Sequence, residues 1–388
     1  MRRAGWFSWP SGFGGTRLPS VTMLTFLITL LALGTVFVHS ASSAGEEPFP
    51  GALTRLHLYR MGFGVGFLVL FLLVHYRILE ELWSPLYVAG LALLGYLLVN
   101  KWFFGGGVQR WIRLGFINIQ PSELIKLFTV LALAKVLKPM GRDPTRANRL
   151  IPLVLVGVPF TMVAVQPDLG TALVLIPVLF AMLWTAGASK RRLLGYASAL
   201  VLCAPLGWFV LADYQVGRVL VFLDPYAPEL REESYQIRHS MTAIGSGGWT
   251  GTGLFQGSQN TLEFLPEDHN DFIFAVIGEE WGLAGTLGLL VLFLCLFFSC
   301  LGIAYRTREP FGRLVVVGIT TQLAAQTLIN LAMTTGIAPV TGLPLPFISF
   351  GGSALFVSLA SMGIVLGIGM RPVRVMNPDG LTAGTSVR

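Results

Sequence analysis

The sequence predicts an all-α polytopic membrane protein with about ten transmembrane helices and one large extracellular loop between spans 7 and 8. Three observations predict it. Of 388 residues, 54% are hydrophobic and only 12% are charged, against about 25% charged in a soluble globular domain. The apolar residues gather into runs long enough to cross a bilayer, each near the required length of about 20 residues. Between the runs, Lys and Arg cluster in alternate short connections, as they do where loops face the cytoplasm. The net charge of +7 is spread over those connections, a pattern of membrane orientation and not of a nucleic-acid footprint.

The runs fall at 22–40, 58–76, 84–101, 122–138, 149–166, 169–188, 191–212, 272–303, 313–335 and 350–370. A cytoplasmic tail, 1–21, carries Arg2, Arg3 and Arg17. With Ser40-Ala-Ser-Ser-Ala after it, the first run has the outline of a signal peptide. It is long for one, and many spans follow, so it reads as an uncleaved first span. Gln166-Pro167-Asp168 interrupts a continuous apolar stretch and marks a tight turn at a membrane face. The membrane domain runs over 22–370, followed by a cytoplasmic tail, 371–388. Cys203, Cys295 and Cys300 all lie in apolar runs, without disulfide or metal spacing.

Ten spans put both termini on one side. That side carries eighteen Lys and Arg residues and the other eight, with Lys126 inside a span. Both termini are therefore expected in the cytoplasm, and the long loop 213–271 lies outside. An amphipathic segment begins it at Arg218, helix-like spacing follows from Ser234, and a Gly-rich run occupies 245–257. A loop of this length is more often functional than a linker. The Gly-rich run lacks the Gly-Lys-Ser/Thr ending and the preceding strand of a nucleotide-binding loop. It suits close packing of backbone near a substrate.

Polar residues stand out against this background. Glu267, Asp268, His269 and Asp271 crowd together where the loop meets the eighth run. A carboxylate at the mouth of a membrane helix is a candidate site. The competing reading is a polar helix start, capped by Asn270 or Asp268. Glu123 and Lys126, three apart after Pro121, share a helix face; they either form a structural bridge or bind an ionic substrate. Arg110 and Arg113 flank Trp111 as phosphate donors or as interfacial anchors. Asp168 is a site residue or a cap for the next helix. Arg218 and Arg238, in the large loop, are solvated or face a phosphate. Glu279 and Glu280 lie about 12 Å along a continuous helix from Asp271; alternatively 271–281 forms a helical extension above the span. Between the last two runs, Gly342-Leu-Pro-Leu-Pro-Phe-Ile-Ser-Phe-Gly-Gly-Ser imposes irregular backbone, which is tolerated at membrane depth where it packs on protein or lines a cavity.

Four of these stretches, taken in order, resemble the SEDS family (shape, elongation, division and sporulation). They are Gln120-Pro-Ser-Glu-Leu-Ile-Lys, Gln166-Pro-Asp-Leu-Gly-Thr-Ala-Leu, Leu265-Pro-Glu-Asp-His-Asn-Asp-Phe-Ile-Phe and Pro344-Leu-Pro-Phe-Ile-Ser-Phe-Gly-Gly-Ser. The detail at Ala243, Gly257 and Pro339 is similar to the elongation branch more than to the division branch. The resemblance implies a ten-span peptidoglycan glycosyltransferase of the bacterial plasma membrane. Its substrate would be lipid II, a disaccharide-pentapeptide on undecaprenyl diphosphate, and its partner a class B penicillin-binding protein with transpeptidase activity. It places the family's essential aspartate at Asp271 and implies stimulation by a divalent metal ion, Mg or Mn, which Asp271 would hold if it is not the base. The family's common His-Thr-Asp reads His269-Asn270-Asp271 here, and Asn keeps the capacity to cap or to hydrogen-bond.

On this reading Asp271 is the general base for an inverting displacement. Arg110, Lys126, Arg218 and Arg238 are candidate donors to the leaving diphosphate, Glu123 and Asp168 shape the site, and Glu267 and His269 support the base. A groove between spans beneath the 213–271 loop would admit the lipid. A lipid II flippase and a non-catalytic scaffold of the elongation machinery are the alternatives.

Overall fold

The computed structural model describes residues 18–43, 49–103, 110–114, 117–138, 150–207, 213–227, 234–257 and 270–371. Thirteen helices and one β-ribbon occupy them. The helices are α1 (Leu18–Ser43), α2 (Ala52–Leu73), α3 (Tyr76–Glu81), α4 (Trp83–Phe103), α5 (Pro121–Leu137), α6 (Ile151–Val165), α7 (Leu169–Thr185), α8 (Lys190–Gly207), α9 (Asp213–Leu223), α10 (Tyr235–Ser246), α11 (Ile273–Arg306), α12 (Pro310–Thr334) and α13 (Gly352–Met370). Every one of the ten expected spans meets a helix: α1, α2, α4 to α8, and α11 to α13.

Six of these, α1, α2, α4, α11, α12 and α13, are long and apolar enough to cross a membrane; α6 and α7 are shorter apolar helices. The chain is thus a multi-pass membrane protein. Helix starts follow local chemistry. Pro121 and Pro310 occupy first helical positions, where a missing N–H costs nothing. Glu309 caps α12 by accepting from the Gly312 N–H at 2.6 Å. The expected turn at 166–168 joins α6 to α7, and Asp168 caps α7.

Two features differ from the sequence expectation, and at the eighth run one of its two alternatives, the helical extension, is the one realised. The second span begins at Ala52 and not near 58, because Thr54 and His57 are buried and extend the packed face of α2. The eighth is two helical segments broken at Gly282, whose φ of +63° is outside the helical region. At the front of α5, β1 (Ile112–Leu114) pairs antiparallel with β2 (Ile117–Ile119), Ile112 facing Ile119. Strands of three residues are too short to leave a periodic signal.

The loop helices α9 and α10 match the amphipathic and helix-like stretches expected at 218 and 234. The Gly-rich run packs on the break in α11. Thr252 and Gly253 donate backbone N–H groups to the carbonyls of Glu279 and Glu280, both at 3.0 Å, while Gly248 and Trp249 carbonyls accept from Leu283 and Ala284 at 2.9 and 3.1 Å. A Cβ on Gly282 would collide with the Gly251 nitrogen, so this turn needs glycine on both grounds.

Candidate active site

The strap between α12 and α13, residues 335–351, gathers the polar groups. It has no regular structure, and its backbone carbonyls are satisfied by side chains from the surrounding helices, as buried backbone requires. Asn330 on α12 donates through one amide nitrogen to the Leu343 carbonyl at 2.7 Å and to the Asp271 carbonyl at 2.8 Å. One turn earlier, Gln326 donates to the Pro344 carbonyl at 3.0 Å. Arg218 donates to the Val340 carbonyl at 3.0 Å. Arg60 on α2 donates to the Phe350 carbonyl at 3.2 Å.

Asp271 lies in the turn before α11. The helix starts at Ile273 with Phe272 at its N-cap and no side-chain cap hydrogen bond, so Asn270 does not cap it, and Asp268, the other capping candidate, lies outside the described residues. The Asp271 backbone is fixed by Asn330, and its half-buried carboxylate points at the strap. A Cβ built on Gly342 would stand 3.4 Å from Asp271 Oδ2 and 3.8 Å from Arg218 Nη1. Carboxylate and guanidinium therefore converge on one point, and Gly342, at φ +72°, is the residue that leaves the space open.

Lys126 and Glu123 form the expected pair. Lys126 Nζ lies 2.8 Å from Glu123 Oε1 and 2.9 Å from Gln326 Oε1. Lys126 is completely buried and Glu123 is 2% exposed. With these acceptors in place, Lys126 serves the bundle interior and connects through Gln326 to the strap; it is not poised as a diphosphate donor in this structure. A pair this deep is costly to break, because the remaining charge loses its paired opposite charge.

Asp168 is a clamp. Its Oδ2 accepts from Gln120 Nε2 and from Ser122 Oγ, both at 2.9 Å, and its Oδ1 accepts from the Thr171 N–H at 3.3 Å. It ties the start of α5 to the start of α7. The capping reading is the one realised, with two further bonds that spacing alone did not suggest. Arg110 donates to the Pro167 carbonyl at 2.7 Å and braces the same turn. α7 then meets the strap directly, since a Cβ on Gly170 would lie 2.7 Å from Thr341 Cβ.

Arg238 is half-buried on α10, a helix that packs on α11 and α12. Glu267 and His269 lie outside the described residues. Glu279 and Glu280 are buried in protein: Ser40 of α1 donates to Glu280 Oε1, and a Cβ on Gly257 would stand 2.8 Å from Glu279 Oε2. They sit on the segment before the Gly282 break, which is the helical-extension alternative.

Sequence reasoning missed Gln326, Asn330 and Arg60. For two of them a signal was present: Gln322, Gln326 and Asn330 recur every four residues in an otherwise apolar helix, so they share one face.

No three His, Cys, Asp or Glu side chains converge as metal ligands among the described residues. The neighbour of Asp271 is a guanidinium, which competes with a cation for the carboxylate. Among the described residues, no protein-built divalent site surrounds Asp271. Mg²⁺ held by one carboxylate takes its remaining ligands from substrate phosphates and water.

An apolar cavity of about 470 Å³ runs between α2, α3, α4, α5 and α13. Phe63, Ile119 and Ser353 line one end, and Val74, Ile78 and Leu82 the other. The cavity is thus on the α2 side of the strap, and none of its lining residues comes from the 213–271 loop.

Comparison with known proteins matches this arrangement to one family. Residues 20–372 fit the FtsW/RodA/SpoVE family of cell cycle proteins. The peptidoglycan glycosyltransferase MrdB of Escherichia coli (strain K12) is 41% identical over 354 residues, covering 89% of this chain and 92% of that one. A solved peptidoglycan synthase complex, described as coordinating polymerization and crosslinking, contains a chain 34% identical at a TM-score of 0.75, covering 90% of this chain and 96% of its own. The rod shape determining protein RodA of Thermus thermophilus is 31% identical at a TM-score of 0.66, covering 90% and 95%. With the family match spanning almost all of the described helices, this chain belongs to the FtsW/RodA/SpoVE family of membrane proteins, the SEDS family.

Proposed function

We propose that the chain is a peptidoglycan glycosyltransferase that polymerises lipid II during cell elongation, with Asp271 as general base. One observation carries the reading. The Asp271 carboxylate is held beside the Arg218 guanidinium at a gap left by Gly342. A base and a cation side by side are what an inverting displacement of a diphosphate requires.

The GlcNAc 4-hydroxyl of one lipid II attacks C1 of the lipid-linked MurNAc of another. As the new C–O bond forms, Asp271 takes the hydroxyl proton. The bond from C1 to the diphosphate oxygen breaks on the opposite face, and its electron pair leaves with undecaprenyl diphosphate. The α-linked donor becomes a β-linked product in one step. Arg218 offsets charge on the leaving group. Asn330 fixes Asp271 through its carbonyl, and Gln326 ties the Lys126–Glu123 pair to the same strap. A divalent ion, where present, would neutralise diphosphate charge.

Several further points belong to this reading. The Lys and Arg count supports a plasma-membrane protein with both termini in the cytoplasm and the strap outside. The synthase complex that couples polymerization to crosslinking supports a class B penicillin-binding protein as partner. The apolar cavity suits a polyprenyl chain, and Ser353, just past the strap, is among its lining residues.

The test is lipid II in detergent, with protein and partner purified together. Glycan polymer is the expected product. Absence of polymer, together with movement of lipid II across vesicles, contradicts the reading and favours a flippase.

A further inference from the structure

Arg60 is one of the eight basic residues that the charge count assigns to the outer side, where an interfacial anchor is the ordinary role. Its surroundings are different. It is half-buried on α2, with no carboxylate within ion-pair distance among the described residues. Its guanidinium lies over the Phe350 ring, Cζ 4.3 Å from the centroid, and its Nη1 donates to the Phe350 carbonyl. Its stem runs along Gly352, where a Cβ would stand 3.2 Å from Arg60 Cδ. One turn before it, fully buried His57 stacks on the same ring at 6.1 Å. Two side chains of α2 thus grip one aromatic residue of the strap.

Phe350 is next to the point where the strap returns to the site. A Cβ on Gly351 would stand 3.5 Å from Asn270 Oδ1 and 3.3 Å from Pro344 Cγ. At the other end, Gly342 borders the Asp271 carboxylate. Both ends of 342–351 therefore abut the Asn270–Asp271 turn. Between them the strap is internally bonded: the Leu345 N–H donates to Ser349 Oγ at 2.7 Å, and the Ser349 N–H to the Leu345 carbonyl at 3.0 Å. A segment stiffened in this way passes a displacement of Phe350 on to residues 270 and 271.

We propose that Arg60 is a positioning residue for the glycosyl transfer: by stacking on Phe350 and bonding its carbonyl, it sets the strap that fixes Asp271. The inference rests on the reading of Asp271 as the base. A guanidinium suits the task because it stacks on a ring face and donates in its own plane at the same time. A half-buried cation near the site, without a carboxylate partner among the described residues, has a second use, direct contact with the substrate diphosphate, and kinetics separate the two. A positioning residue acts on the chemical step, so its loss lowers kcat and leaves KM alone; a diphosphate contact made in the ground state raises KM.

The experiment measures initial rates of polymerisation against lipid II concentration for the full chain with its partner. The variants are Arg60→Ala, Arg60→Lys, Phe350→Leu and the Arg60→Ala/Phe350→Leu double. Misplacing a reacting group by about 1 Å costs on the order of 100-fold. The expected result is a kcat loss of about 10- to 100-fold in Arg60→Ala and in Phe350→Leu, with KM unchanged. The double variant falls no further than the worse single. Arg60→Lys recovers part of the rate, since an ammonium keeps the ring contact and one donor. A raised KM at unchanged kcat, or single losses that multiply in the double, overturns the proposal. If Arg60→Ala does not fold, Arg60→Lys and Phe350→Leu decide by the same split between kcat and KM. Asp271→Asn is run in parallel: its polymerising at the wild-type rate removes the base and this inference with it, whereas its inactivity beside a KM effect in Arg60→Ala overturns the positioning role alone.

Discussion

Asp271 and Arg218 meet at Gly342: the position a Cβ would take there lies 3.4 Å from the Asp271 carboxylate and 3.8 Å from the Arg218 guanidinium. The two come from elements far apart in the chain, the turn before α11 and helix α9. The strap joins them, through the Val340 carbonyl on one side and the shared Asn330 contacts on the other. The site depends on the exact course of a segment without regular structure, so substitutions in the strap and in its anchors test it.

Gly342→Ala strains a backbone at φ +72° and places a methyl against the carboxylate. The strain is worth about 1–2 kcal/mol for a non-glycine residue. Thermal unfolding in detergent is expected to show that modest loss, while the polymerisation rate of the folded fraction drops further. An unchanged rate would mean that the gap beside Asp271 is not used.

The Lys126–Glu123 pair has a different signature. Lys126→Met leaves Glu123 buried without its cation and is expected to cost about 3–5 kcal/mol. Adding Glu123→Gln removes the stranded charge and restores much of that stability. A double-variant cycle read by thermal unfolding checks it, and additive losses would contradict the buried-pair account.

Asp168 is expected to act on stability more than on chemistry. Asp168→Ala removes a cap and the acceptor of two side-chain hydrogen bonds, about 2–3 kcal/mol together. Activity per folded molecule stays within a few-fold of wild type. A rate collapse with intact stability would instead place Asp168 against substrate.

At the opposite face, Glu80 receives Lys138 at 2.7 Å and Lys135 at 3.1 Å, and Lys138 also lies 2.9 Å from Glu309. Burial opposes ionisation of Glu80, but the hydrogen bonds and charges of Lys138 and Lys135 outweigh it and hold the carboxyl below its ordinary value. Burial likewise opposes charge on Lys138, yet hydrogen bonds and charges from Glu80 and Glu309 hold it above the ordinary lysine value. With the folded pKa of Glu80 depressed, its contribution is complete above the unfolded carboxylate value of about 4.3 and is lost as pH falls through the folded value. Lys138 contributes fully below about 10.4 and loses its share as pH rises through its folded value. Thermal unfolding of Glu80→Gln against pH is expected to show a weaker acid limb than wild type; identical acid limbs would exclude the network.

The sequence made the ten helices legible because each is a long apolar run, and the loop helices because their apolar residues recur at helical spacing. It hid the start of α2, where Arg55, His57 and Arg60 look like a solvated connection until His57 is seen buried against Phe350. It left two courses open at Gly282, since one glycine in a helical run is ordinary until a second backbone lies on it. In the site, Glu123 with Lys126 was legible from a spacing of three. The convergence of Asp271 with Arg218 was not, because it is made by an irregular strap whose path no periodicity encodes. The same holds for the demotion of Lys126 and Arg110 as diphosphate donors: their partners, Gln326 and the Pro167 carbonyl, are remote in sequence.

The most direct test of the account is the initial rate of lipid II polymerisation by Asp271→Asn, purified with its partner and compared with wild type at saturating substrate. Asparagine keeps the shape of the side chain and removes the base. The account predicts a loss of about 100-fold or more, the range expected for a general base, with the protein folded and lipid II still bound. Polymer formed at the wild-type rate would contradict it.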